Sequence, residues 1–365
     1  VSARFHTAVC DLLGIEHPIL QSGMGRIAGP ELVAQVCNAG GLGILAGLHV
    51  PPAELRRQIE QVRALTKRPF GVNLWLHEAL QPPTPVATLD ERELAAVQGV
   101  LNRFRERLGV PAVETRPAPV PDLIDDAFEV ILEERVPVFS VGLGDPELER
   151  SERCRERGIR VIAMAATVDD AKTLAESGVD AIVAQGAEAG GHRSTWIKPA
   201  RRDAACIGTI TLVPQVVDAV RVPVIAAGGI ADGRGLVAAF ALGAQAVMLG
   251  TRFVATQESM APAFFKQALL ERNSDQTLVT DVFTGLYARG LRNRFADEYE
   301  ASRTGVLPPL VQSNAAQDVY AAALRKGDGE YYPMLAGQAC GLIADMPSAG
   351  DVVRAIMAEA ERVRA

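Results

Sequence analysis

The sequence predicts an α/β fold: a (β/α)8 TIM barrel with a smaller, mainly helical capping domain. Three observations carry that expectation. Short, nearly all-apolar runs alternate with longer amphipathic runs, the pattern of βα units around a parallel sheet. Eight apolar runs fall before residue 255, the strand count of the barrel. Small residues, mostly glycine, follow these runs where a barrel carries its chemistry. An open doubly wound sheet is the rival, but no G-x-G-x-x-G follows the first strand, which weakens its dinucleotide-binding version.

The expected strands are 19–21, 42–46, 70–74, 138–141, 160–163, 181–184, 224–227 and 246–249. Each is short and almost wholly apolar, as strands covered on both faces must be. Helices are clearest at 30–39, 52–65, 168–177 and 233–241. One segment breaks the rhythm. Between Trp75 and Val136 lie about sixty residues where a barrel needs about twenty-five. This piece holds Pro82, Pro83, Pro85, Pro111, Pro117, Pro119 and Pro121, with one strong helix at 90–108. It reads as an excursion over the top of the barrel. After Ala255 the chain reads mostly as helix, with amphipathic stretches at 260–271, 315–326 and 348–364 expected to cap the mouth. The expected organisation is a barrel of residues 1–76 and 122–255, with 77–121 and 256–365 forming the insertion and helical cap.

Composition bounds the function. Of 365 residues, 48% are hydrophobic and 22% charged, which excludes disorder for most of the chain. A net charge of −7 argues against nucleic acid or an anionic membrane as partner. Five cysteines with long gaps and no C-x-x-C fit neither a disulfide scaffold nor a zinc site. No bound metal and a reducing, cytoplasmic compartment are the expectations. Arg4, Asp11 and Glu16 interrupt any signal-peptide core. The most apolar stretch, 236–250, is broken by Gln245 and falls short of the ~20 residues of a membrane span.

The loops after the strands hold the candidate chemistry. Gln21-Ser22-Gly23-Met24-Gly25 follows the first strand, and Asn73 lies near the end of the third. Gln185-Gly-Ala-Glu-Ala-Gly-Gly-His192 follows the sixth. Gly228-Gly229 follows the seventh and Gly250-Thr251 the eighth, the usual place of a barrel phosphate site. There backbone N–H groups hold a phosphate without Lys or Arg. His192 is the one histidine presented at a strand end, and a neutral imidazole there is a candidate base. His6, His17, His49 and His77 read as structural. Glu188 either pairs with this chemistry or caps a following turn. Lys198, Arg201 and Arg202 read as a solvated basic face or an anion contact. Trp75 and Trp196 either pack or wall the pocket. Cys37 and Cys206 read as small apolar fillers.

These stretches resemble the nitronate monooxygenases, or 2-nitropropane dioxygenases, a family of FMN-dependent barrels. The resemblance runs through Gln21-Ser-Gly-Met-Gly, Asn38-Ala-Gly-Gly-Leu-Gly, Gly71-Val-Asn-Leu and Gln185-Gly-x-Glu-Ala-Gly-Gly-His192. It continues in Pro223-Val-Ile-Ala-Ala-Gly-Gly-Ile230, Gly243–Phe253, Ala288-Arg-Gly-Leu-Arg-Asn-Arg294 and Ala336-Gly-Gln-Ala339. The resemblance implies that Asn73 and Gln185 contact the flavin ring, with Gly190 and Gly191 beside it. It implies that Gly228, Gly229, Met248, Leu249, Gly250 and Thr251 hold the phosphate and ribityl chain. Ser22, Gly23 and Met24 would back the flavin, and His192 would be the catalytic base. Two features depart from the family: Arg193-Ser194-Thr195-Trp196 after the histidine, where many relatives have a small residue such as glycine, and the proline-rich 77–121.

The implied reaction is FMN-dependent oxidation of a small nitroalkane or alkyl nitronate by O2, giving a carbonyl compound and nitrite. A homodimer is the oligomer entertained. The alternatives are an NAD(P)H-dependent flavin reductase acting on an enoyl thioester or quinone, and a catalytically silent FMN-binding protein.

Overall fold

The computed structural model describes residues 5–195, 203 and 206–364. Eight parallel strands form the barrel: β1 (Ile19–Gln21), β2 (Ile44–Ala46), β3 (Gly71–Leu76), β4 (Val138–Gly144), β5 (Arg160–Ala165) and β6 (Ala181–Gln185), then β8 (Val224–Ala227) and β9 (Ala246–Leu249). β7 (Gly191–His192) stands outside the barrel. The order β1-β9-β8-β6-β5-β4-β3-β2 closes through a parallel bridge between Leu20 and Leu42. That bridge removes the open-sheet rival.

The strands alternate their side chains between two cores. Leu20, Ile44, Val138, Ile162, Val183, Ile225 and Met248 fill the interior, and the short helix Ala8–Leu13 plugs its base with Val9, Cys10 and Leu13. Their neighbours Ile19, Leu45, Val72, Phe139, Val161, Ile182, Ala226 and Leu249 face the surrounding helices.

The excursion carries the helix Glu91–Leu108, with Asp90 capping its first amides and left-handed Gly109 ending it. This helix packs on the C-terminal region through Phe104, whose ring lies 4.9 Å from Phe295. Arg105, 1% exposed, bonds Asp318 at 2.8 Å and 3.1 Å, Gln98 Oε1 and Asn102 Oδ1 at 2.8 Å, and the Ala315 carbonyl at 2.7 Å.

Two differences from the sequence expectation concern the last 110 residues. They contain an antiparallel hairpin, β10 (Thr277–Thr280) and β11 (Ala288–Leu291), which adds β7 as a third strand. The pairing sets Ala288 opposite His192, so the cap is built directly onto the histidine. The final helix, Ala349–Arg364, does not cap the mouth. It packs on the barrel helices Gly233–Ala241 and Pro30–Asn38. A Cβ at Gly233 would lie 2.3 Å from Ala360 N, so the absence of a side chain there permits the close approach. Among the described residues no helix is long and apolar enough to cross a membrane.

Candidate active site

The C-terminal ends of the strands bring the expected residues to one mouth. A Cβ at Gly23 would lie 2.5 Å from Asn73 Cβ, so only glycine lets the first loop cross the third strand. Asn73 Nδ2 donates to Ser140 Oγ at 3.0 Å and to the Ser140 carbonyl at 3.2 Å. Gly142 leaves room for the Asn73 amide and for Trp75 Nε1. The first and last loops also adjoin: Ser22 N donates to the Leu249 carbonyl, and Met24 Sδ would be 3.5 Å from a Cβ on Gly250. Met248 points into the barrel interior. Leu249 points outward, so its backbone, not its side chain, is what it offers the mouth.

Gln185 positions the histidine loop. Its Nε2 donates to the His192 carbonyl at 3.0 Å, and its Oε1 accepts from Ser194 N at 2.9 Å. Ser194 is fully buried, with Oγ 2.8 Å from the Gly142 carbonyl and 3.0 Å from that of Met164. Its hydroxyl thus ties the ends of β4 and β5 to the loop. Gly190 packs backbone to backbone against Gly337: a Cβ on Gly190 would lie 2.5 Å from Gly337 N. The same Gly337 N–H donates to Thr251 Oγ1 at 2.9 Å. Gly191, at φ +78, has open space where a side chain would be.

His192 faces this space half-buried. Its Nε2 lies 2.9 Å from Thr284 Oγ1, and the Trp75 ring meets it edge-on with centroids 4.5 Å apart. Burial, then the Arg193 charge, pushes the imidazole down to about 3. It is therefore neutral at pH 7 and able to accept a proton.

Gly228 and Gly229 both take left-handed backbone, at φ +107 and +71, which favours glycine. A Cβ on Gly228 would press within 3.0 Å of Thr209 Oγ1 and 3.1 Å of Ala189 N. Glu188 resolves to the cap: its carboxylate accepts from Thr209 N at 2.9 Å and Thr209 Oγ1 at 2.7 Å, at the start of the helix Thr209–Ala219. That position suits a negative charge.

The other histidines have the following surroundings. His6 pairs with exposed Asp11 at 2.7 Å, His77 Nδ1 accepts from Ala79 N, and burial lowers His17 and His49. Trp196, Lys198, Arg201 and Arg202 lie outside the described residues. No group of side chains among the described residues could hold a metal ion. Sequence reasoning missed Thr284, Arg289 and the loop-holding role of Arg193. Thr284 lies 92 positions from His192, and no local spacing links them.

The family model described as nitronate monooxygenase matches residues 6–359. A probable nitronate monooxygenase of Staphylococcus aureus (strain N315) is 36% identical over 342 residues, covering 92% of each chain. One of Staphylococcus haemolyticus (strain JCSC1435) is 35% identical over 339 residues, covering 92% of this chain and 91% of the relative. Among solved structures, a nitroalkane oxidase from Streptomyces ansochromogenes is similar at a TM-score of 0.88 and 34% identity, covering 98% of this chain and 99% of that one. FabK from Thermotoga maritima is similar at 0.76 and 34%, covering 98% and 97%.

Proposed function

Because the chain belongs to the nitronate monooxygenase family and is an oxidoreductase, we propose that it uses FMN to oxidise small nitroalkanes or alkyl nitronates with O2. The products are a carbonyl compound and nitrite. The observation that carries this reading is a neutral His192 beside Thr284 and Trp75 at the barrel mouth.

The residues present fit the cofactor. Gly228 and Gly229 take the left-handed backbone that favours glycine and lets a loop turn its amides toward a phosphate, with Gly250 and Thr251 on the adjoining loop. Ser22, Gly23 and Met24 line the wall next to Gly250, with Asn73 and Gln185 at the ends of β3 and β6. Gly191 leaves room for a flat ring. Among the described residues, one phosphate cradle without a second pyrophosphate loop favours FMN over FAD. Bound there, the flavin supplies the electron acceptor for the substrate carbon and the route of those electrons to O2.

The chain's own residues do the rest. His192 takes the α-proton of a neutral nitroalkane; a nitronate arrives without that proton. Trp75 and Thr284 fix the imidazole. The Arg193 charge beside His192 disfavours the imidazolium, so the ring stays ready to accept. The cap strand β11 holds the histidine in register.

The likeness to FabK supports a second reading, an NAD(P)H-dependent reductase of an enoyl thioester or quinone. Anaerobic mixing separates the two. Rapid flavin bleaching by a nitronate and not by NADH is the expected result, and rapid bleaching by NADH alone would overturn it. Acid release and chromatography should yield FMN; FAD or no flavin would refute the cofactor assignment.

A further inference from the structure

Two guanidinium groups lie inside the fold close to the His192 loop, and the influence of Arg193 on the imidazole does not account for the pair. Arg193 is 3% exposed and Arg289 9% exposed. Arg193 donates to the carbonyls of Gly186 at 2.9 Å, Ala189 at 2.6 Å and Gly191 at 3.3 Å, and its buried Nε has no partner. Arg289 donates to the Ala187 carbonyl at 2.8 Å and to Thr277 Oγ1 at 2.9 Å. Among the described residues neither forms an ion pair with a carboxylate. The near carboxylate, Glu188, is turned onto Thr209.

Buried cations are costly unless paired, and these two also repel each other. Burial and that repulsion push Arg193 down to about 10, so it remains charged at pH 7. Both side chains pull carbonyls of the Gly186–Gly191 loop toward themselves. That loop presents His192, so two positive charges, held by carbonyl oxygens and balanced only at a distance by Glu188, stand in the wall of the reactive space.

We propose that Arg193 and Arg289 form a cationic wall that stabilises negative charge in the space His192 faces. The chemistry it takes is a delocalised organic anion: a nitronate substrate, or the isoalloxazine ring when it carries negative charge. This inference rests on the flavin reading above. The carbonyl fork needs arginine geometry, and the electrostatic effect needs only the charge.

Sulfite is a suitable probe, because it adds to oxidised flavin through its sulfur lone pair and leaves the electron pair as negative charge on the ring. The measurements are the sulfite Kd and the nitronate KM of flavin-loaded wild type, Arg193→Gln, Arg289→Met and Arg193→Lys. Arg193→Gln keeps amide donors for the carbonyls while losing the charge, so the test survives if Arg289→Met does not fold. Charge removal should weaken the response at least about tenfold, with Arg193→Lys restored to within about threefold. Loss in sulfite affinity assigns the charge to the ring; loss confined to nitronate KM assigns it to the substrate. A flavin-loaded Arg193→Gln with both values within about twofold of wild type overturns the inference and leaves the flavin reading intact. A wild-type protein that takes up no flavin overturns both.

Discussion

Replacing His192 with alanine separates proton abstraction from every other role of the site. Removing a general base typically costs ~10²–10⁴-fold. Burial and Arg193 push this imidazole down to about 3, which makes it fully available but a weak base. The lower end is therefore expected: about 10²-fold in kcat/KM for a neutral nitroalkane, or about 2.7 kcal/mol. The pre-formed nitronate has already lost its proton and should lose severalfold at most. The same lowered value sets a pH signature. An ordinary imidazole would produce an acid limb near 6.5, whereas wild-type kcat/KM for the nitroalkane should show no His192 limb between pH 5 and 9. Initial rates of O2 uptake with both substrates, across that range and in both proteins, measure all of this. Equal loss on the two substrates would refute the base assignment. A wild-type limb near 6.5 that disappears in the variant would refute the electrostatics.

Three further outcomes follow from other parts of the fold. Gly229→Asp should strip the flavin, since it sets a carboxylate and a side chain where the backbone must be open at φ +71; a purified variant that remains fully yellow would place the phosphate elsewhere. Arg105→Met should cost about 3 kcal/mol in urea unfolding, the lower end for breaking a buried pair, because the freed Asp318 side chain is 37% exposed and rehydrates; a change under about 1 kcal/mol would show that the excursion is not held there. His17, His49 and His192 all have folded values below 6.5, so the unfolded chain takes up protons first as pH falls. Stability should be full above about pH 6.5 and decline below it, with His192→Gln flattening the decline; an unchanged slope in that variant would contradict the lowered value.

The barrel was legible because its signal is local. Apolar runs three to five residues long are set by burial on both faces, glycine follows most of them, and these placed all eight strands. Their ends were less so: β4 runs on to Gly144, through Gly142, because the neighbouring β3 continues to Leu76 and still offers a ladder. The cap hairpin was missed although Thr277-Leu-Val-Thr280 is β-branched, since helical periodicity dominates around it. β7 has only two residues and pairs with a strand almost a hundred positions later, which no window in the sequence reports. The final helix carries the amphipathic pattern of a cap helix and a barrel helix alike, and only its contact with Gly233 decides. Among the candidate residues, the glycines and His192 are readable from their positions after strands, while Thr284 and the arginine pair depend on contacts made by folding.

The central claim is that nitro compounds, and not a nicotinamide, deliver the electrons that reach O2. Simultaneous recording of O2 uptake and nitrite release, with an alkyl nitronate and then with NADH, tests it most directly. The account predicts O2 uptake with nitrite formed in proportion from the nitronate, and no sustained uptake with NADH. NADH-driven turnover with no nitrite from any nitronate would contradict it.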